Sequence, residues 1–174
     1  NSQSKKLDVS NWNTSNVIDM SFTFQGVYSA NPDVSKWNTS NVTTMEGMFH
    51  ATEGLDPDVS NWDVSKVIDM QEIFQTCLAL KKLDLSKWRL NPKLFTEQHA
   101  FDAMFGELRN IEYIKTPMGL QTSIDGADSD FKVVKLEKGT AAHVEFESKN
   151  LNASYEINSS GDKDAVYHIY RKDK

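Results

Sequence analysis

Apolar positions recur with a 25-residue period through the first two thirds of the chain. The tryptophans stand 25, 25 and 26 residues apart, at Trp12, Trp37, Trp62 and Trp88. Two further columns keep the 25-residue step, at Met20, Met45 and Met70 and at Phe24, Phe49 and Phe74. Agreement among independent columns is the signature of a repeat architecture, in which each unit is one supersecondary element.

Each unit combines two periodicities. In the first unit, the segment Leu7–Val9 alternates apolar and polar residues, which predicts a short strand with one buried face. Val17, Met20 and Phe24 follow at i, i+3 and i+7, which is the spacing of one face of a helix. Serine and asparagine residues stand just before these predicted helices and can cap their free N–H groups.

A single unit of this kind cannot bury its apolar face alone, whereas stacked units bury it against each other. The sequence therefore predicts an α/β solenoid of short parallel strands and short helices, with four to five repeats over residues 1–116. The fourth unit departs from the pattern through an insertion around Pro92–Ala100. After it, Ile111, Tyr113 and Ile114 are predicted to form a fifth strand.

The pattern changes at the C-terminal third, residues 117–174. Four segments alternate apolar and polar residues between turn-rich stretches, at 131–136, 142–148, 153–160 and 165–172. Short strands with such punctuation are typical of antiparallel β structure. We expect a small β-rich module or cap here, with its last two strands joined as a hairpin across Gly161–Asp164.

Composition narrows the functional classes. The formal net charge of −6 offers no basic excess to neutralise phosphates, so nucleic acid is not the expected partner. No apolar run reaches the roughly 18–20 residues of a membrane span. Cys77 is the only cysteine, which excludes intramolecular disulfides. No Gly-rich phosphate loop and no catalytic combination can be recognised, so neither a cofactor nor an enzyme activity is predicted.

The units resemble the leucine-rich repeats of BspA-like bacterial surface proteins. The resemblance rests on "LDVSNWNTSNVIDM" from Leu7, its copies in the next two units, and "CLALKKLDLSKW" from Cys77, and it covers residues 7–115. It implies that the solenoid is a leucine-rich-repeat solenoid of an exported protein at the bacterial cell surface. It also implies adhesion to, or recognition of, host or matrix proteins, without enzyme activity.

Two columns of polar residues are the candidate binding residues. They are Asp8, Asp33, Asp58 and Asp84, with Ser10, Ser35, Ser60 and Ser86 two positions later. On the concave face of a solenoid the aspartates would form an acidic stripe for a basic peptide or protein. The alternative is that each aspartate accepts hydrogen bonds within its own turn.

A second acidic group lies in the loop "IDGADSDF". Asp125, Asp128 and Asp130 could wrap a calcium ion, although the EF-hand spacing and its closing glutamate are absent. The alternative is a solvated acidic turn.

The tryptophan column separates the functional alternatives. A buried column would be structural, whereas an exposed one would suit sugar stacking in a carbohydrate-binding module. The function predicted is binding of a protein or peptide, with a glycan as the alternative ligand, through the concave face and the insertion around Pro92–Ala100. A third hypothesis is a structural spacer that displays another domain. Cys77 is expected to be a buried apolar residue.

Overall fold

The structure, a computed structural model, describes residues 7–95, 99–100, 103–115 and 117, together with short strands further along the chain. Its strands in chain order are β1 (Lys82–Asp84), β2 (Tyr113–Lys115), β3 (Gln121–Ser123), β4 (Phe131–Glu137), β5 (Thr140–Ala141), β6 (Phe146–Ser148), β7 (Glu156–Asn158) and β8 (Val166–Arg171). One 3-10 helix spans Pro92–Phe95. In the part of the chain that the structure describes, no helix is long and apolar enough to cross a bilayer.

Successive repeat units lie side by side, and we call them coil 1 (7–31), coil 2 (32–56), coil 3 (57–82) and coil 4 (83–112). The backbone N–H of Met20 donates to the carbonyl of Thr44 at 3.1 Å, and that of Phe24 to Met48 at 2.9 Å. One coil later, Met45 donates to the carbonyl of Asp69 at 2.9 Å. Equivalent residues of neighbouring coils are therefore held in register by main-chain hydrogen bonds.

The segments predicted as helices are successive turns instead. In coil 1 the N–H groups of alternate residues, such as Phe22 and Phe24, donate to coil 2, and the intervening N–H of Thr23 closes a turn on Met20. A helix is excluded, because beyond its first turn each N–H group would bond to the carbonyl four residues earlier instead of to a neighbouring coil. The apolar spacing of the sequence is still satisfied, since the turns bring Met20 and Phe24 to the same buried side.

Left-handed backbone accompanies these turns. In coil 1 it occurs at Phe22 and Gly26, with φ of 55° and 69°. The matching residues of the later coils also have positive φ, namely Gly47, Ala51, Glu72, Thr76, Ala103 and Glu107. This conformation is costly for residues with a Cβ, so it persists only because the ladder between coils requires it.

The predicted strands at the start of each unit are largely absent. Of these segments only the fourth forms a strand, β1, while Leu7–Val9 is irregular. Parallel bridges occur instead at Asp19, Thr44 and Asp69, within the ladder of turns. Pro32 and Pro57 begin the second and third units and cannot donate to a ladder there.

Stacked rings fill the space between the two sides of each coil. Trp37 and Trp62 stack at 6.5 Å with planes 3° apart, and Phe49 and Phe74 stack at 5.8 Å. The core they belong to is almost fully buried, and among its largest members are Trp88, Phe49, Phe74, Phe105, Met45, Met48 and Met70. The three columns read from the sequence are thus columns in space, and the aromatic rows continue from coil to coil.

The C-terminal strands extend from the last coil. β1 pairs in parallel with β2, β2 pairs antiparallel with β8, and β8 pairs antiparallel with β4, which also pairs with β5 and β6. The fifth strand predicted around Tyr113 is confirmed as β2. The predicted hairpin across Gly161–Asp164 is wrong, because β7 pairs with β3 and β8 with β4 and β2.

The buried position of the tryptophans predicts a contrast between two alanine variants. Trp62 is 3% exposed, whereas Trp12 at the end of the row is 56% exposed. We expect Trp62→Ala to lower the free energy of unfolding by about 3–5 kcal/mol, and Trp12→Ala by about 1 kcal/mol. Urea unfolding followed by circular dichroism measures both, and equal losses would contradict the burial of the column.

The close approach of two coils at Gly47 predicts a coupled pair. A Cβ at Gly47 would collide with the Phe22 ring of coil 1, whereas a Cβ at Gly26, also left-handed, meets no atom within 4 Å. We therefore expect Gly47→Ala to destabilise the protein by about 1–3 kcal/mol more than Gly26→Ala. The double variant Phe22→Ala/Gly47→Ala should recover most of that difference in urea unfolding, and a strictly additive loss would refute the contact.

Candidate functional site

The aspartate and serine columns lie in one recurrent turn. The Oδ1 atom of Asp33 accepts the backbone N–H of Ser35 at 3.0 Å and its hydroxyl at 2.6 Å. The other three pairs have the same geometry: Asp8 with Ser10, Asp58 with Ser60, and Asp84 with Ser86. The local hydrogen bonds weighed from the sequence are therefore present at every member of the column.

These turns keep their carboxylates charged. Hydrogen bonds from the hydroxyl and N–H of Ser35 hold the pKa of Asp33 below its ordinary value. At Asp84 burial works to raise the pKa, but hydrogen bonds from Ser86 and the nearby Lys115 lower it further than burial raises it. Both Ser86 bonds go to Oδ1, and Oδ2 faces Lys115 Nζ at 3.3 Å.

A second turn of the same kind follows in each of the first three coils. Asn13 and Asn38 accept the N–H and hydroxyl of the serine two positions later, and Asp63 accepts the N–H of Ser65. Asparagine and aspartate share the Oδ1 acceptor that this turn requires. Asn13 and Asn38 are therefore turn formers at the corners of the coils.

On the face that carries the aspartate and serine columns, coil 3, coil 4 and the last residue of coil 2 line a groove of about 510 Å³. Its lining includes three members of the predicted columns, Asp58, Ser60 and Asp84. It also includes three lysines and one further aspartate, namely Lys81, Lys82, Lys87 and Asp56. The structure thus brings Asp58, Ser60 and Asp84 to one surface of mixed charge. The other candidates are not part of the groove lining, namely Asp8, Ser10, Asp33, Ser35 and Ser86.

The electrostatics of the groove differ from one carboxylate to the next. Burial raises the pKa of Asp56, and a backbone hydrogen bond from Lys81 opposes that rise. Lys87 Nζ donates to Asn61 Oδ1 at 2.8 Å, which ties the fourth coil to the third at the rim. The lysines are exposed and were not singled out from the sequence, although "KKLDLSK" brings three of them together.

The remaining candidates have simpler outcomes. Trp37, Trp62 and Trp88 are buried, which confirms a structural column at these three positions, whereas Trp12 at the end of the row is exposed. Each indole N–H reaches the preceding coil, as Trp62 Nε1 does to the carbonyl of Val34 at 3.0 Å. Cys77 is buried as expected, and burial raises the pKa of its thiol to about 12.

No group of three or more metal-ligating side chains occurs among the described residues. The calcium candidates Asp125, Asp128 and Asp130 lie outside the described residues. Most of the insertion is described, but its residues 96–98 are not. His50 Nδ1 lies 3.5 Å from Glu72 Oε2, between two coils and away from the groove.

The stacked coils and their repeated turns define a repeat protein. A comparison with protein-family models identifies its family. The chain belongs to the family described as "Mycoplasma protein of unknown function, DUF285", whose model matches residues 1–113. The matched region covers all four coils and ends within β2. A search of curated proteins and a search of solved structures each found no match.

The charged turn at Asp63 predicts a pH effect with a built-in control. Hydrogen bonds from Ser65 hold the pKa of Asp63 below its ordinary value, so its contribution to stability is present above about pH 4 and is lost as the pH falls through the lowered pKa. Asp63→Asn keeps the acceptor, as Asn13 and Asn38 do, and removes the titration. Thermal melts between pH 2 and 7 should show a smaller acid-induced loss for this variant; an unchanged slope would contradict the assignment.

Proposed function

We propose that the chain is a non-enzymatic binding protein of the bacterial cell surface that takes a protein or peptide ligand on the face carrying the aspartate and serine columns. Membership of a bacterial family supports the source of the protein. The surface location and the adhesive role rest on the resemblance of the repeats to BspA-like proteins. The fold proposed for the repeat region is a leucine-rich-repeat solenoid, and the in-register coils support it.

The groove between the third and fourth coils is the observation that carries the proposal. It combines exposed lysines with aspartates whose positions are fixed by their own turns. Charges of both signs at fixed positions suit a ligand that also carries both signs, and they oppose a ligand of the wrong pattern. A volume of about 510 Å³ is enough for a few side chains of a peptide.

Pre-ordering of the site favours binding. Two hydrogen bonds hold Asp58 in place before any ligand arrives, through the N–H and the hydroxyl of Ser60. A ligand therefore finds a carboxylate whose side-chain freedom is already lost, so little ordering entropy opposes association. The ladder between coils extends the same benefit to the backbone on which these turns are built.

A carbohydrate-binding role has less support from this surface. It would need exposed aromatic rings for stacking, and none occurs among the described residues that line the groove. A spacer role would need no ligand at all. Both alternatives are separated from the proposal by the same binding experiment.

The test is a binding screen followed by a matched pair of variants. The intact chain is screened against arrays of extracellular-matrix proteins, peptides and glycans. Asp58→Asn removes a charge inside the groove and keeps the Oδ1 acceptor of its turn, while Asp63→Asn makes the same change at an exposed turn of the same coil outside it. We expect Asp58→Asn to weaken binding about two- to fivefold at low salt, with the affinity of Asp63→Asn unchanged and both variants folded by circular dichroism.

The outcomes divide the hypotheses. Equal affinities for both variants would move the ligand away from the groove. Glycan hits without protein or peptide hits would favour a carbohydrate-binding module. An absence of hits on all three arrays would favour the spacer.

A further inference from the structure

The outer surface of coil 1, which we call the leading face, is unusually apolar. Large exposed apolar side chains of the described residues cluster in this coil: Leu7, Trp12, Ile18, Phe22 and Tyr28. Outside it, among the residues whose exposure the structure describes, only Ile68 belongs to that class. Trp12 stacks on Trp37 at 5.9 Å with planes 12° apart, and its opposite side continues the aromatic row outward.

The indole N–H of Trp12 lacks the partner that its counterparts have. Trp37, Trp62 and Trp88 donate to the carbonyl of a valine in the preceding coil, at 3.3, 3.0 and 2.8 Å. Trp12 has no such acceptor among the described residues. By analogy with the other three tryptophans, the Trp12 indole N–H can donate to a main-chain carbonyl supplied from outside coil 1.

Four main-chain carbonyls complete the leading face. In coil 2 the carbonyls of Thr44, Glu46, Met48 and His50 accept N–H groups of coil 1, at 2.8 to 3.1 Å. The equivalent carbonyls of coil 1 belong to Asp19, Ser21, Thr23 and Gln25, and within the described part of the chain no N–H donates to them. A row of acceptors beside apolar rings matches the surface that each later coil presents to its predecessor.

We propose that the leading face is a stacking site for a further coil of the same 25-residue pattern as coils 1 to 4. The interface already exists three times in the chain, and each time the coil that covers it is the adjacent segment of the same polypeptide. The further coil supplies alternate N–H groups to the four carbonyls, a valine-type carbonyl to Trp12, and a ring to continue the row.

A second copy of the chain does not fit this face. Two leading faces brought together by a two-fold axis would set rows of carbonyls against each other. Unpaired carbonyls buried in that way cost free energy, because they exchange water for no partner. The donor row that the face requires is the surface that a coil turns toward its successor.

The experiment extends the chain by one coil. A copy of residues 32–56 is inserted between Lys6 and Leu7, because its Gly47 equivalent leaves room beside Phe22. The control carries a scrambled 25-residue extension of the same composition. Hydrogen exchange of the Trp12 indole N–H, followed by NMR, is compared in the two extended chains and in the original chain.

We expect the true coil to slow exchange of the Trp12 indole N–H about tenfold or more and to raise the melting temperature by about 4 °C or more, with no change for the scrambled control. Equal exchange rates in the two extended chains would overturn the proposal. So would a dimer of the original chain in analytical ultracentrifugation whose formation already protects Trp12, because the occupant would then be a second copy. Binding of matrix ligands at the groove is unaffected in either case.

Discussion

The register that main-chain hydrogen bonds impose between neighbouring coils is the constraint on which the other features of the repeat region depend. Along each ladder of turns, alternate N–H groups point to the following coil and the matching carbonyls point to the preceding one. This arrangement needs left-handed residues at two fixed places per coil, which accounts for Gly26 and Gly47. It also fixes register, because a shift by one residue would exchange the donating and the turn-closing N–H groups. The aromatic rows and the polar columns are consequences of that register.

Polar turns determine where the chain bends in each coil, and rows of apolar side chains fill its interior. Side-chain oxygens of aspartate and asparagine close the corners, as Asp33 does with Ser35, so the chain can bend without leaving N–H groups unsatisfied. Stacked rings such as Phe49 on Phe74 fill the interior between the corners. The corner residues are exposed and the rings are buried, so the same 25 residues provide both a core and a surface with fixed charges. The candidate groove arises where two such corners lie beside three lysines, Lys81 and Lys82 at the end of the third coil and Lys87 in the fourth.

The sequence predicts the spacing of this architecture better than its backbone. The period, the buried tryptophans, the burial of Cys77 and the strand at Tyr113 follow from residue identity alone. The helices did not follow, because the i, i+3, i+7 spacing of a helix face is also produced by consecutive turns that bond to a neighbour. Left-handed backbone at Phe22 and Glu72 has no signature in residue type. The groove was missed because its lysines lie in and next to β1, more than 20 residues after Asp58, and only the stacking of coils brings them beside Asp58.

The ring of Phe22 above Gly47 makes neighbouring coils unequal partners. A gene encoding such an array grows by duplication and shrinks by deletion, and each event creates a new junction. If a coil with phenylalanine at the Phe22 position is followed by a coil with a residue larger than glycine at the Gly47 position, the two side chains collide and the junction is destabilised. The reverse order, with glycine in the preceding coil, avoids this collision. The coils are therefore not freely exchangeable, because this contact restricts which coil can follow which in the array.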